Sequence, residues 1–311
     1  MGVFEGASRA GSGRAQIEWP TGLALAGCYA SWALALWFAP DLGWFYAIPG
    51  AVTVAFHSSL QHEVLHGHPT RKAWINEALV FPPVGLFIPY RRFRDLHLKH
   101  HNDERLTDPY DDPESFYLTP GDWSARCAVM CMLLRFNATF AGRMLIGPAL
   151  AMWAFWRTEA GLMLRGDRAI IGAWVRHMLG LVPVLLAVNA AGVDLWFYAL
   201  AAAYPGMSLI MVRSFIEHRA AHDARERTAI IEGGLFWRLL FLNNNYHAVH
   251  HAWPALAWYR VPEAWRATRR EVLERNGGYL LPGYGAIAWR WLFRAREPVV
   301  HPLARHDGDG A

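Results

Sequence analysis

Three short clusters of histidine hold the residues best suited to metal chemistry. One is a His-x-x-x-His pattern at 62–66, and two are His-x-x-His-His patterns at 97–101 and 247–251. Residues at i, i+3 and i+4 share one face of a helix, so each cluster would direct its imidazoles towards one place. With 15 histidines in 311 residues, chance gives roughly 0.03 His-x-x-His-His triplets. Two are present, so the pattern is a strong signal of a metal site.

The clusters supply more imidazoles than one ion needs. Zinc, for comparison, usually takes four ligands. The candidate ligands are His62, His66, His97, His100, His101, His247, His250 and His251, with a ninth from His218 or His222. We therefore expect two metal ions. Neutral imidazole binds iron, copper, zinc or nickel, so the spacing alone does not choose the metal.

Histidine ligands usually need an acceptor for their second ring nitrogen. Several residues near the clusters in sequence are candidates for that role or for a place beside the metal. They are Glu63, His68, Asp95, Glu217 and Asn245.

The elements that must position these clusters are predicted to be membrane helices. The chain is 54% hydrophobic and only 18% charged, with 16 Trp and three Cys. Three Cys exclude a disulfide scaffold. Uncharged stretches run over about 21–40, 44–60, 177–193 and 195–212, and about 20 residues span the hydrocarbon core. We expect an all-α integral membrane protein with two helical hairpins, four spans in all.

Two further apolar stretches, 78–89 and 127–156, are too short or too charged to span. They favour interfacial or re-entrant helices. We expect one domain over 19–300, with flexible tails at 1–18 and 301–311.

The distribution of positive charge predicts the orientation. Lys and Arg are missing from 15–70 and from 177–212 and stand at the other ends of these stretches. By the positive-inside rule both hairpin turns face outward. The histidine clusters and both termini would then lie on the cytoplasmic side, in a bacterial inner membrane. Net charge is +4, and in so apolar a chain this favours a membrane rather than a nucleic acid as partner.

These residues resemble the membrane fatty acid desaturase superfamily, the integral-membrane di-iron desaturases and hydroxylases. All three of its histidine boxes occur here in order. The third region, Asn243 to Pro254, and the following Trp258 to Pro262 look especially like short bacterial members. The similarity covers roughly residues 58–262.

The resemblance implies a catalytic centre of two non-haem irons, held by the nine histidines, that activates O2. His218 fits the place of the extra ligand, with His222 as its competitor. Some relatives hold a water near iron through an Asn, which leaves Asn243, Asn244 and Asn245 open here. Relatives also carry an acidic stretch after the second box, as at 108–114, near the substrate entrance or beside the ligands.

The implied reaction takes two electrons and O2 and removes hydrogen from an unactivated C–H bond. A fatty acyl chain is the favoured substrate and desaturation the favoured outcome. Hydroxylation or ketolation of a carotenoid, an alkane or a small molecule stays open. We find no fused electron-transfer motif, so a ferredoxin, cytochrome or reductase would supply the electrons. The basic residues Arg91, Arg92, Arg94 and Lys99 would dock that donor or contact lipid headgroups.

Two hypotheses come from other classes of protein. His62-Glu63-x-x-His66 also matches the zincin pattern of an intramembrane metalloprotease. That hypothesis leaves both His-x-x-His-His clusters unused. A metal-binding or transport protein would favour polar residues within the spans, where they are almost absent.

Overall fold

The computed structural model describes residues 17–102 and 105–304, and the described chain is predominantly helical. The α-helices are α1 Trp19–Trp37, α2 Ala39–Leu42, α3 Ala47–Leu65, α4 Ala73–Leu79, α5 Tyr90–Asn102, α6 Pro120–Ser124, α7 Ala128–Asn137, α8 Phe140–Leu145, α9 Gly147–Leu164, α10 Arg168–Ala190, α11 Leu195–Tyr198, α12 Tyr204–Ser214, α13 Leu235–Leu240, α14 His247–Ala252, α15 Val261–Arg275 and α16 Tyr284–Trp291. Short 3-10 helices lie at Gly43–Tyr46 and Ala224–Arg227. Two strands, β1 Ile230–Ile231 and β2 Leu280–Leu281, pair in parallel.

Two of the helical segments are long and apolar enough to cross a membrane. They are Arg168–Ala190 and Leu195–Ser214. Trp19–Trp37 and Ala39–Leu65 qualify together as a pair bent by 57°. By length and composition the described chain therefore has two spans, or up to three. α10 begins at Arg168 rather than at the predicted 177, because the Asp167 side chain caps the backbone N–H groups of Ala169 and Ile170.

Side-chain contacts show that α1 and α3 run side by side in opposite directions. Cys28 Sγ donates to the carbonyl of Thr53 at 3.7 Å, and Tyr29 Oη lies 3.1 Å from His57 Nε2. At the end of the pair the Glu18 N–H donates to the carbonyl of Pro69 at 3.0 Å. The start of the first helix therefore lies beside the end of the first histidine box.

The structure describes only the inner ends of the two predicted tails. Glu18 is buried, and its carboxylate lies 2.6 Å from His68 Nδ1. His301 is also buried, with Nε2 3.2 Å from Thr107 Oγ1. The remainder of the predicted tails, 1–16 and 305–311, lies outside the described residues.

The stretch 78–89 corrects an expectation, because past Leu79 it is irregular rather than helical. Pro82 and Pro83 lack the N–H groups that a helix needs. Helices packed around the segment bond to its carbonyls instead. Tyr198 Oη donates to the carbonyl of Val84 at 2.7 Å, and Trp156 Nε1 donates to that of Phe87 at 3.1 Å. His177 Nε2 lies 2.8 Å from the carbonyl of Leu86. Irregular backbone among apolar helices is stable only when its polar groups are paired in this way.

The other ambiguous stretch, 127–156, divides into α7, α8 and the start of α9. Thr139 begins α8 by accepting from the Gly142 N–H. This stretch therefore contains short helices, and its apolar helix α7 has only 10 residues.

Small residues bring α3 against the last apolar segment. A Cβ on Gly206 would lie 2.4 Å from Val54 Cγ1, so only glycine permits this approach. Before Pro205 the chain forms a π-helical turn at Ala199–Ala203. The helical geometry therefore changes just upstream of the proline.

A buried ion pair fixes the helix that carries the second histidine box. On α5, Arg92 Nε lies 2.9 Å from Glu159 Oε2 on α9, and the side chains are 11% and 1% exposed. Trp174 Nε1 on α10 donates to the same carboxylate at 3.0 Å. The pair thus ties three helices together at one point.

Candidate metal centre

All nine predicted histidines meet in two neighbouring groups. The first group contains His62, His66, His97, His101 and His250. The second contains His100, His218, His247 and His251. Within each group the candidate ligand atoms lie within 4.8 Å of one another. His222 is exposed and belongs to neither, so of the two competitors it is His218 that the fold brings into place.

The second and third histidine boxes each contribute imidazoles to both groups, but with the helix positions exchanged. His97 and His101, at i and i+4, join the first group, and His100 at i+3 joins the second. In the third box the i and i+4 residues, His247 and His251, join the second group, and His250 joins the first. The i and i+3 positions of a helix diverge enough to serve two adjacent centres. The two boxes therefore link the groups.

Several imidazole Nε2 atoms lie at hydrogen-bonding distance from one another, so they cannot all carry a proton. Nε2 of His101 lies 3.0 Å from that of His97 and 3.0 Å from that of His250. In the second group Nε2 of His247 lies 3.0 Å from that of His218. Two ligand nitrogens at right angles around an ion, each about 2.1 Å from it, would lie ~3.0 Å apart. The Nε2–Nε2 distances have this value.

Two buried imidazole Nε2 atoms also have no hydrogen-bond partner in the described chain. They are Nε2 of His62 and Nε2 of His66, both in the first group. Unpaired buried polar atoms are costly unless a ligand satisfies them. The donor set and its spacing therefore fit a di-metal site.

Acceptors fix three of the imidazoles from behind. His97 Nδ1 lies 2.7 Å from Glu114 Oε1, and His100 Nδ1 lies 2.8 Å from Asp112 Oδ1. His247 Nδ1 lies 3.1 Å from Asn244 Oδ1. Such contacts fix the tautomer and direct Nε2 to the metal. The acidic segment 108–114 thus supplies acceptors for the second box.

Most of the acceptors suggested by sequence proximity serve elsewhere. Asp95 is exposed and bonds to Arg94 at 2.7 Å. Glu63 accepts the backbone N–H of Trp258 at 2.9 Å, and the Asn245 side chain donates to the carbonyl of Ile231 at 2.7 Å. Glu63 and Asn245 therefore brace the backbone around the centre.

His68 and Glu217 lie closer to their predicted roles. His68 forms a separate buried group with Glu18 and Glu63. The Glu217 carboxylate accepts from Arg213 Nε at 2.8 Å and lies 3.7 Å from His247 Nδ1. Glu217 is therefore a neighbour of the second group.

Burial keeps most of these imidazoles neutral. Burial, together with the neighbouring His97 and His101, lowers the pKa of His66 to about 2. Burial with His97 and His100 lowers the pKa of His101 to about 3. His100 differs, because the carboxylates of Glu114 and Asp112 outweigh its burial and raise its pKa to about 9. Neutral imidazole is the form that binds metal.

Sequence reasoning missed the residue that holds the His218 backbone in place. Arg296, near the end of the described chain, donates to the carbonyls of Phe215 and His218. Its Nη2 also donates to Tyr279 Oη at 2.9 Å, and Tyr279 Oη donates to the carbonyl of Ile216 at 3.0 Å. A lone arginine far from the histidine boxes carries no signal in the sequence pattern.

A profile of the family described as fatty acid desaturase matches residues 42–282, well over half of the chain. The chain belongs to the fatty acid desaturase family. It is also similar to a beta-carotene ketolase of Paracoccus sp. (strain N81106 / MBIC 01143). The two are 24% identical over 261 residues, which cover 76% of this chain and 88% of the ketolase. The family is one of oxidoreductases, and the two histidine groups of this chain are consistent with its di-metal site.

Membership in the desaturase family also decides against the hypotheses from other classes. His62 and His66 lie in a group of five histidines, whereas a catalytic zinc site has three protein ligands and an open position. Glu63 bonds to the backbone of Trp258. Neither feature fits an intramembrane metalloprotease.

An apolar cavity of about 140 Å³ is lined in part by Gln61, the residue that directly precedes His62 of the first group. Its walls come from α3, from the irregular segment 83–88 and from the start of α12. Each wall leads into a ligand-bearing segment: α3 into His62, the irregular segment into α5, and α12 into His218. The cavity is therefore placed to bring an apolar group near the metal centre.

Proposed function

We propose that this protein uses O2 and two externally supplied electrons to oxidise an unactivated C–H position of a lipid-like substrate. The observation that carries the proposal is the convergence of nine imidazoles in two groups. An apolar cavity lined by segments that lead into those histidines adds to it. The nine histidines, His62, His66, His97, His100, His101, His218, His247, His250 and His251, would hold two irons.

Bound iron would supply the O2 activation that an unactivated C–H bond requires. The chain's own residues hold and orient the components. Asp112, Glu114 and Asn244 accept from Nδ1 of their histidines, which leaves the Nε2 lone pairs for the metals. The cavity would exclude water and fix one C–H position relative to the centre.

The membrane arrangement proposed for this reaction has four spans. α1 and α3 would form one hairpin, and α10 and the segment Leu195–Ser214 the other, with the histidines at the cytoplasmic surface. The antiparallel contacts of α1 with α3 support the first hairpin. The absence of Lys and Arg from 15–70 and 177–212 supports the orientation.

Oxygen insertion is the outcome that the observations favour. The similarity to beta-carotene ketolase extends over 88% of that protein. Desaturation of a fatty acyl chain is the second candidate, supported by the family profile that covers residues 42–282. Both outcomes follow the same first hydrogen abstraction, so the position of the substrate decides between them.

The electrons would come from a separate acidic protein at the cytoplasmic surface. The proposed basic patch is smaller than the sequence suggests. Arg92 is engaged by Glu159 inside the protein, and Arg91 bonds to Glu77 at 2.5 Å. Lys99 is exposed and extends the same surface. A small charged surface is suited to transient docking.

The test is isotope labelling. Cells that express the parent or the His100→Ala variant would be grown under isotope-labelled O2, and their lipid extracts compared by mass spectrometry. We expect a product in the parent that carries the labelled oxygen and is missing from the variant. An unlabelled product with one added double bond would select desaturation instead. Identical extracts from parent, variant and empty cells, with the parent fully iron-loaded, would contradict the proposed function.

A further inference from the structure

The wall of the apolar cavity contains three polar side chains, on a helix that forms part of a candidate membrane span. They are His57, Ser58 and Gln61, all on α3. The rest of the wall is made of Val, Ile, Leu, Met, Pro and Gly. Polar residues inside a membrane protein are costly and commonly mark a functional path.

His57 has a partner within the protein, but Ser58 and Gln61 do not. His57 Nε2 lies 3.1 Å from Tyr29 Oη. Neither Ser58 nor Gln61 makes a side-chain hydrogen bond to any other residue that the structure describes. The adjacent Ser59 provides a comparison, because its Oγ donates to the carbonyl of Ala55 at 3.2 Å. The Ser58 hydroxyl makes no such bond to the preceding turn of its own helix in the described chain, although that carbonyl is a common partner of a helical serine.

Along α3, Ser58 and Gln61 lie within about one helical turn of His62, a member of the first group. Gln61 directly precedes His62 in α3, and Ser58 lies one turn before it at i−4. A group bound against Ser58 and Gln61 would therefore be close to the proposed iron site. Their unused hydrogen bonds are available to whatever fills the cavity.

The size of the cavity sets the size of the bound group. A dry protein cavity of about 150 Å³ holds one benzene molecule, and this cavity measures about 140 Å³. A six-membered ring or a similarly compact apolar group would fill it. An amide supplies two donors and an acceptor, and a hydroxyl supplies one donor and accepts. Together these groups match one hydroxyl or carbonyl oxygen on such a ring.

We propose that the cavity binds a ring-sized apolar group bearing one hydroxyl or carbonyl oxygen, and that Ser58 and Gln61 select for that oxygen. The inference rests on the proposed function in taking the cavity as the substrate site. A plain hydrocarbon would leave both polar groups without partners in an apolar site, and a site built to bond an oxygen discriminates against a ligand that lacks it. The substrate class is therefore an oxygen-bearing lipid rather than a saturated acyl chain.

The test compares three probes, cyclohexane, cyclohexanol and cyclohexanone, on the iron-loaded full chain in detergent. Each probe is titrated at known free concentration, and its affinity is obtained from the rise in Tm. We expect the parent to bind cyclohexanol and cyclohexanone at least about tenfold more tightly than cyclohexane. Gln61→Leu should abolish this preference and Ser58→Ala should reduce it. Ser59→Ala, the matched control, should preserve it.

Equal affinity of the parent for all three probes would overturn the inference. A preference that persists unchanged in both Gln61→Leu and Ser58→Ala would also overturn it. The labelling experiment separates this failure from failure of the proposed function. Labelled product without a probe preference rejects only the oxygen-selective cavity. A probe preference in a protein that gives no oxidised product rejects only the oxygenase assignment.

Discussion

His100 and His101 are neighbours in the chain, yet their imidazoles belong to different groups. His101 lies with His97 and His250, and its Nε2 is 3.0 Å from each of theirs. Nε2 of His100 lies 3.1 Å from that of His218 in the other group. Successive residues on a helix point about 100° apart, so a single turn of α5 reaches both proposed metals. This relationship fixes the two sites relative to each other.

The ninth ligand can be tested with two histidines that lie close in sequence. His218 is buried in the four-histidine group, whereas His222 is exposed. We expect His218→Ala to lower the metal content of the purified protein and to abolish oxidation. His222→Ala should leave both unchanged. Elemental analysis of the two variants checks this, and equal losses in both would contradict the assignment of His218.

The carboxylates behind the second box should control metal affinity. Asp112→Asn and Glu114→Gln remove the charge that orients His100 and His97. Loss of such a partner typically lowers metal affinity about 10- to 100-fold. Competition with a chelator measures the change. Asp95→Asn is the control, because Asp95 is exposed and bonds to Arg94. Full metal retention in the Asp112 and Glu114 variants would show that these contacts do not support the site.

The buried pair between Arg92 and Glu159 should contribute much more to stability than its surface neighbour. Glu159→Ala leaves the Arg92 cation buried without its partner, which typically costs about 3–5 kcal/mol. Glu77→Ala breaks the more exposed contact with Arg91 and should cost about 0–1 kcal/mol. Thermal unfolding in detergent compares the two. Similar Tm values for both variants would mean that the buried pair does not anchor α5.

Two glycines in apolar helices should respond in opposite directions to alanine. At Gly206 a Cβ would lie 2.4 Å from Val54 Cγ1, so Gly206→Ala should destabilise the protein by about 1–3 kcal/mol. Gly27 has nothing within 4 Å of its Cβ position, and Gly27→Ala should stabilise its helix by about 0.5–1 kcal/mol. Tm measurements check the signs. A rise in Tm for Gly206→Ala would show that α3 and α12 do not pack this closely.

Spacing in the sequence was enough to single out eight of the nine histidines that the fold groups together. Periodicity identified the three boxes, and the resemblance placed His218 with His222 as competitor. The fold brings all nine together. The division of the second and third boxes between the two groups could not be predicted, because it depends on how α5 and α14 are rotated towards each other. That rotation is set by contacts such as the one between Arg92 and Glu159.

The partners of the histidines were harder to predict from sequence. Proximity along the chain pointed to Asp95, two residues before the second box, but its side chain faces solvent. Asp112 and Glu114 reach the site because the chain after α5 folds back over it. Arg296 acts across 78 residues of sequence on the backbone of His218. Contacts of this range come from tertiary structure and leave no local pattern.

The segment 78–89 also shows that tertiary contacts leave no local pattern in the sequence. Its apolar composition predicted a helix, and the prediction was wrong because two prolines interrupt it and side chains from other helices bond to its carbonyls. His177, which sequence reasoning left without a role, is one of these side chains, since its Nε2 lies 2.8 Å from the Leu86 carbonyl. The irregular backbone in turn forms one wall of the cavity.

The most direct test of the account is the metal content per chain of detergent-purified protein from iron-supplied cells, with His100→Ala measured alongside. The account predicts about two irons in the parent, one for each histidine group. His100→Ala should show a clear loss, because the four-histidine group loses a ligand. One zinc per chain, unchanged in His100→Ala, would contradict the di-iron centre and the oxygenase function proposed from it.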